Sequence, residues 1–264
     1  MLASNLVRPR SMAIARLAQT RILAFLLALS LGLPALCQEN RATDTPGMEP
    51  TAAVVQLLAI GPGQQGTNRE CAATGFLVNE EGYILTNAHV VEDARHCLAG
   101  TPGAKIVAKL ARPGARIATA VSCDLVGLDD VRDLAVLRTE RPLPAEGQPS
   151  FVRLNPAEVA KGTSVAVTGH PAFAWRPTTQ KGKVIRRGTL ELSERSTEKS
   201  DVIILDIPLG RGASGSPAYL ESGAVVGIVE RQNPSSPSET VAVPIRYAVE
   251  LLDRLHVRWQ PAPK

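Results

Sequence analysis

Arg141-Pro-Leu-Pro-Ala-Glu-Gly-Gln-Pro149 holds three prolines and one glycine in nine residues. Proline cannot donate to a strand ladder and breaks helices, so the stretch reads as a linker over 141–150. Outward from it, on both sides, run short apolar segments separated by turn residues. Before it, residues 51–60, 73–78, 84–89, 105–110, 116–122 and 133–138 read as strands. The second and third of these are joined through Asn79-Glu-Glu-Gly-Tyr83 as a β-hairpin, and 90–96 follows as a helical turn. After the linker, strands are expected at 151–154, 164–168, 183–186, 189–192, 202–206, 224–230 and 240–244. Residues 245–257 then place Ile245, Ala248, Leu251, Leu252 and Leu255 on one stripe, the pattern of an amphipathic helix. The pattern predicts an all-β fold of two antiparallel barrels or sandwiches, over 51–140 and 151–257, with the helix closing the second and a short tail at 258–264.

Composition narrows the class. Hydrophobic residues make up 44% of the 264 and aromatics only 3%, so the core is built from Val, Ile, Leu and Ala. The formal charge of +4 comes from Arg8, Arg10, Arg16 and Arg21 in residues 1–37, which hold no acidic residue. The remaining 25 basic residues match 25 acidic ones. No basic run interleaved with aromatics is left, which argues against a nucleic-acid partner.

Residues 1–37 read as a signal peptide. Arg16 and Arg21 precede the apolar run 22–29, which continues through Leu31-Gly-Leu-Pro-Ala-Leu36 and ends at a polar Gln38. The run is too short, and too close to Pro34, for a membrane span. Ala35 and Cys37 fit cleavage after Cys37, and lipidation at Cys37 is the weaker alternative because Leu36 is bulky. Met12 is an alternative start. A polar arm follows at 38–50. Export permits disulfides among Cys71, Cys97 and Cys123. Cys71 with Cys97 closes a loop worth roughly 3.5 kcal/mol in the chain-entropy model; Cys97 with Cys123 competes. The cysteines and the four histidines show no paired-ligand spacing, so no metal and no cofactor is expected.

Chemistry enters with Gly210-Arg-Gly-Ala-Ser-Gly-Ser-Pro217. Glycines on both sides of Ser214 let the backbone turn tightly and present Oγ and nearby N–H groups, as a nucleophile and an oxyanion hole require. By itself the stretch is also an ordinary turn. His89 at a strand end and Asp133 at the start of an apolar strand have equally ordinary structural explanations. Their order, His89, Asp133, Ser214, is that of the chymotrypsin arrangement and differs from those of subtilisins and α/β-hydrolases. The first two precede the linker and the serine follows it.

Thr74-Gly-Phe-Leu-Val78, Gly82-Tyr-Ile-Leu-Thr-Asn-Ala-His-Val-Val91, Asp133-Leu-Ala-Val-Leu137 and Gly212-Ala-Ser-Gly-Ser-Pro217 together resemble the trypsin-like serine proteases of the HtrA/Deg type. The likeness runs through Gly223-Ala-Val-Val-Gly-Ile-Val229 into the terminal helix and covers residues 52–257. It implies two six-stranded β-barrels and endopeptidase action on protein or peptide substrates. It also implies His89, Asp133 and Ser214 as catalytic residues, with the N–H groups of Gly212 and Ser214 as the oxyanion hole. Pro208 and Leu209 on one wall, and Gly227, Ile228 and Val229 on the other, would frame an apolar specificity pocket. Two positions depart from the usual Gly-Asn-Ser-Gly-Gly: Ala213 and Ser216. The 264 residues leave no room after the helix for the PDZ domains common in HtrA proteins, so the resemblance is to the protease part without them.

Overall fold

The computed structural model describes residues 50–61, 71–110, 119–141 and 151–263. The expected signal peptide, most of the expected arm, residues 62–70, the start of the strand expected at 116–122, residues 142–150 of the expected linker and Lys264 lie outside the described residues. Among the described residues, twelve strands and two α-helices follow one another in two series. The first series is β1 (Val54–Ile60), β2 (Ala72–Leu77), β3 (Tyr83–Thr86), α1 (Ala88–Cys97), β4 (Lys105–Leu110), β5 (Thr119–Asp129) and β6 (Leu134–Thr139). The second is β7 (Ser164–Gly169), β8 (Thr178–Leu190), β9 (Ser200–Leu205), β10 (Pro217–Tyr219), β11 (Val225–Gln232), β12 (Thr240–Pro244) and α2 (Ile245–Arg254).

Each series closes on itself through antiparallel pairs. The first barrel runs β1-β2-β3-β6-β5-β4 and the second β10-β11-β12-β9-β8-β7. Leu57 shows how closure works, pairing with Ala73 of β2 on one side and Ala108 of β4 on the other. Closure removes every open sheet edge and gives most strands a buried face. That face is aliphatic, as the composition demands. Among the largest fully buried side chains, Phe76 is the sole aromatic beside Leu57, Leu85, Ile84, Leu137 and Ile228. The fold is chymotrypsin-like, with two six-stranded barrels and a C-terminal helix.

Several elements differ from their sequence expectation, each for a physical reason. The segments 183–186 and 189–192 belong to one 13-residue strand, β8, whose register shifts between Val184 and Arg186. Its side chains are mostly exposed, so no apolar alternation announces it; ladders to β7 and β9 hold it. Strand β5 likewise runs past 122 to Asp129 through a bulge between Leu125 and Gly127. Three-residue β10 is too short to read. Residues 151–154 form no strand; Leu154 makes bridges to Val225 and Pro261 instead. The chain after the helix is stapled to the same residue, with Leu154 N–H donating to Gln260 C=O and Ala262 N–H to Leu154 C=O, both at 2.9 Å. Helix α2 stops at Arg254 because His256 adopts φ +54° and Val257 N–H turns back to Leu252 C=O.

Of the two cysteine pairings, Cys71–Cys97 forms, tying the start of β2 to the last residue of α1. Cys123 is free and buried. Among the described residues no helix is long and apolar enough to cross a membrane.

Candidate active site

Strand β3 ends at Thr86, and Asn87 turns the chain into α1, so His89 is the second residue of that helix and its ring stays at the barrel rim. The turn between β5 and β6 delivers Asp133 to the same place. Asp133 has φ +52°, a left-handed conformation that aspartate tolerates better than most residues. Asn87 Nδ2 donates to its main-chain carbonyl at 3.0 Å and fixes that turn. The buried Asp133 carboxylate then meets His89 twice: Oδ1 accepts the main-chain N–H at 2.8 Å and Oδ2 lies 2.7 Å from ring Nδ1.

An ionised carboxylate only accepts, so the proton of a neutral His89 sits on Nδ1 and leaves Nε2 with a free lone pair. Burial works against a charged ring here, but the Asp133 hydrogen bond and charge, with Glu230 and Asp93 adding to them, raise the His89 pKa above its ordinary value. That tautomer is the one a general base needs.

Ser214 comes from the loop before β10. Gly212 and Gly215 take φ of +87° and +83°, and neither has room for a side chain. A Cβ on Gly212 would stand 2.5 Å from the His170 carbonyl oxygen, and one on Gly215 2.0 Å from that of Thr74. Within the loop, Ala213 N–H is turned toward Gly210 C=O, Gly215 N–H donates to Val229 C=O at 2.9 Å and Ser216 N–H to Ala213 C=O at 3.0 Å. Among the described residues nothing accepts from the N–H of Gly212 or of Ser214. The first barrel holds the loop: Thr74 N–H donates to Ser214 C=O at 2.9 Å, and Thr74 Oγ1 to Gly212 C=O at 2.8 Å.

Ser214 and His89 both line one cleft of about 140 Å³, with Ala73, Phe173 and Arg211 among its walls. The hydroxyl does not point at the imidazole. It donates to the main-chain carbonyl of Glu230 at 2.9 Å, and a Ser214 to His89 hydrogen bond is absent among the described residues.

The residues expected to frame a specificity pocket separate. Leu209 and Val229 pack with Ala213 in the buried cluster of the second barrel, and Pro208 stays exposed beside them. Ile228 faces the opposite way, into the cluster beneath α2, and Gly227 lies against Val243 of β12. Both departures in the serine loop have a structural setting. Ala213 is buried among aliphatic side chains. Ser216 is fully buried, and its hydroxyl occupies space that exists only because residue 169 is glycine, where a Cβ would stand 1.9 Å from it.

One neighbour had no signal in the sequence. Glu230, buried in β11, brings a carboxylate oxygen to within 4.8 Å of a ring nitrogen of His89 and a carboxylate oxygen of Asp133. The expected strand 224–230 contained it, yet nothing in an apolar run ending in Glu-Arg-Gln says which way the glutamate turns.

Two closed six-stranded barrels, the first carrying a buried Asp133 paired with a half-buried His89 and the second a serine between positive-φ glycines, define the chymotrypsin-fold class of proteins. Residues 73–228 match the trypsin-like peptidase domain, and the chain belongs to that family. A probable periplasmic serine endoprotease DegP-like of Halomonas elongata is 27% identical over 207 residues, covering 75% of this chain and 38% of that protein. The similarly named protein of Brucella suis is 31% identical over 186 residues, covering 69% and 32%. The chain thus spans 38% or less of the length of these curated relatives. Among solved structures, the active form of the Rv3671c protease from M. tuberculosis superposes with a TM-score of 0.61 at 20% identity, covering 81% of this chain and 85% of that one.

Proposed function

We propose that the chain is an exported serine endopeptidase that cleaves protein or peptide substrates through Ser214, His89 and Asp133. The observation that carries this reading is the pairing of His89 with Asp133 on the first barrel, facing the cleft that the glycine-flanked Ser214 enters from the second. Ser214 Oγ, turned from the Glu230 carbonyl to His89 Nε2, attacks the substrate carbonyl while the imidazole takes its proton. The same ring returns that proton to the leaving amine, and water repeats the cycle on the acyl-enzyme. Asp133 keeps the proton of neutral His89 on Nδ1 and stabilises the imidazolium. The N–H groups of Gly212 and Ser214 receive the oxyanion; losing one such donor costs on the order of 10²–10³ in rate. The chemistry needs no cofactor. Arg16 and Arg21 ahead of an apolar run support export, as does the periplasmic naming of the relatives.

A second reading, a protease-fold binding protein that has lost turnover, is favoured by the Ser214 hydroxyl resting on Glu230 and by alanine at 213. A serine-reactive fluorophosphonate separates the two. Labelling of the wild type that disappears in Ser214→Ala and His89→Ala, with peptide turnover lost in both and no further loss in the double variant, supports the triad. An unlabelled wild type supports the binding protein, and independent multiplicative losses argue against a triad.

A further inference from the structure

Glu230 falls where β11 slips against its neighbour: Val229 pairs with Ala242 and Arg231 with Val241, leaving Glu230 without a partner across the ladder. A bulge of this kind re-aims a side chain, and here it turns a glutamate inward. The residue is only 3% exposed. One oxygen, Oε1, accepts from Arg231 Nη1 at 2.6 Å, while Oε2 is buried without a hydrogen-bond partner. The same residue's main-chain carbonyl holds the Ser214 hydroxyl. Glu230 therefore touches Ser214 through its backbone and approaches His89 and Asp133 through its side chain.

We propose that Glu230 is a positioning residue of this site, whose buried carboxyl group competes with His89 for one proton and so sets the pH at which the imidazole becomes a free base. The proposal rests on the reading of His89 as the general base. The charged groups around the pair are few. Asp133 faces both from the β5–β6 turn, Arg231 faces Glu230 from its own strand, and Asp93 faces His89 from the next turn of α1. Burial pushes the Glu230 carboxyl up to about 7; Arg231 opposes this, Asp133 reinforces it and His89 opposes it. Both groups are raised above their ordinary values, and at this separation they titrate as a coupled pair. With one proton between them, the pair is either carboxylate with imidazolium, which has no base, or carboxylic acid with neutral imidazole, which has one. Taking away the Glu230 charge removes what favours the first state.

Glu230→Gln keeps the shape and hydrogen-bonding capacity while abolishing the charge. The ascending limb of kcat/KM against pH is expected to move to lower pH in this variant; an unmoved limb overturns the proposal. A readout independent of turnover is the NMR titration of the His89 imidazole in Ser214→Ala protein. Adding Glu230→Gln should shift that titration to lower pH as well. If the wild type neither labels nor turns over, the catalytic reading fails while this titration still decides the role of Glu230. Should the Gln variant not fold, Glu230→Thr makes the same measurement with a smaller neutral side chain. Should neither fold, the Glu230 carboxyl resonance in Ser214→Ala protein decides: an inflection shared with His89 supports the proposal, and a lone titration in the ordinary carboxylate range overturns it.

Discussion

Asp133 grips His89 at two points, Oδ1 on the main-chain N–H at 2.8 Å and Oδ2 on ring Nδ1 at 2.7 Å, so one carboxylate fixes both the start of α1 and the orientation of the imidazole. Asp133→Asn separates these roles. Asparagine also tolerates the φ of +52° at this position, so the turn and the fold survive. Its amide can present N–H to Nδ1 and stabilise the tautomer with the proton on Nε2, which removes the base. The expected result is a loss in kcat on the order of 10⁴ with a melting temperature close to that of the wild type. Wild-type turnover in a folded Asn variant would contradict the assignment of Asp133.

The pH dependence of stability should carry the mark of the same cluster. The folded pKa of Glu230 is about 7 against an ordinary 4.5, and that of His89 is above 6.5. Groups whose folded pKa is raised contribute stability that is fully present below the unfolded value and is lost as pH rises through the folded one. Thermal melts from acid to neutral pH should therefore show a smaller fall with pH in Glu230→Gln than in the wild type. An identical slope in the two proteins would mean that Glu230 is not titrating in the folded state.

Much of this arrangement was legible in the residues, and the parts that were not share a cause. Strands β4 and β12 were read at their observed bounds because each is a clean run of strand-forming residues between turn signals. The His89, Asp133 and Ser214 pattern was legible because chain order is itself information. Strand β8 was not, since its polar, exposed residues are held by ladders rather than by a buried face. The inward turn of Glu230 depends on a register slip against β12, and register between distant strands is a tertiary property that no local window contains. The same holds for Ser214, whose rotamer is chosen by a carbonyl sixteen residues away.

Substrate preference follows from the groups near Ser214. Leu209, Ala213 and Val229 are buried aliphatic residues packed beneath the serine loop, and the carboxyl group of Glu230 is already paired with Arg231 and close to Asp133. A lysine or arginine side chain would be desolvated there without a counter-charge. Cleavage should fall after small or medium aliphatic residues such as Val or Ala. Peptide-library profiling checks this, and dominant cuts after Arg or Lys would rule out the aliphatic assignment.

The Cys71–Cys97 bridge spans a sequence separation of 26 and joins the start of β2 to the helix that carries His89. Loop-closure entropy assigns it roughly 3.5 kcal/mol, which for a domain of this size corresponds to a melting temperature lower by about 10 °C in the Cys71→Ser, Cys97→Ser double variant. The remaining thiol does not substitute. Cys123 is buried, and burial pushes its pKa up to about 12, so alkylation of the native protein should leave it unmodified. Calorimetry with and without reductant measures the first effect. An unchanged melting temperature would show that the bridge adds nothing to the folded state.

Maturation by a newly cut N-terminus, as in trypsinogen, is not expected to order this site. That mechanism needs a carboxylate immediately before the nucleophile to receive a buried ammonium. Position 213 is alanine, 2% exposed, packed with Leu209 and Val229. An ammonium inserted there would lack a partner and cost several kcal/mol. The loop already has its own restraints in Thr74, which bonds both Ser214 C=O and Gly212 C=O from the first barrel, and in the Gly215 N–H bond to Val229. Two preparations, one beginning at Gln38 and one at Pro50, should therefore label equally with a fluorophosphonate. Ala213→Asp provides the converse: without an ammonium to meet it, the buried carboxylate should destabilise the fold and reduce labelling in both preparations. A requirement for one defined N-terminal cut before labelling appears, or rescue of Ala213→Asp by such a cut, would refute self-ordering of the loop.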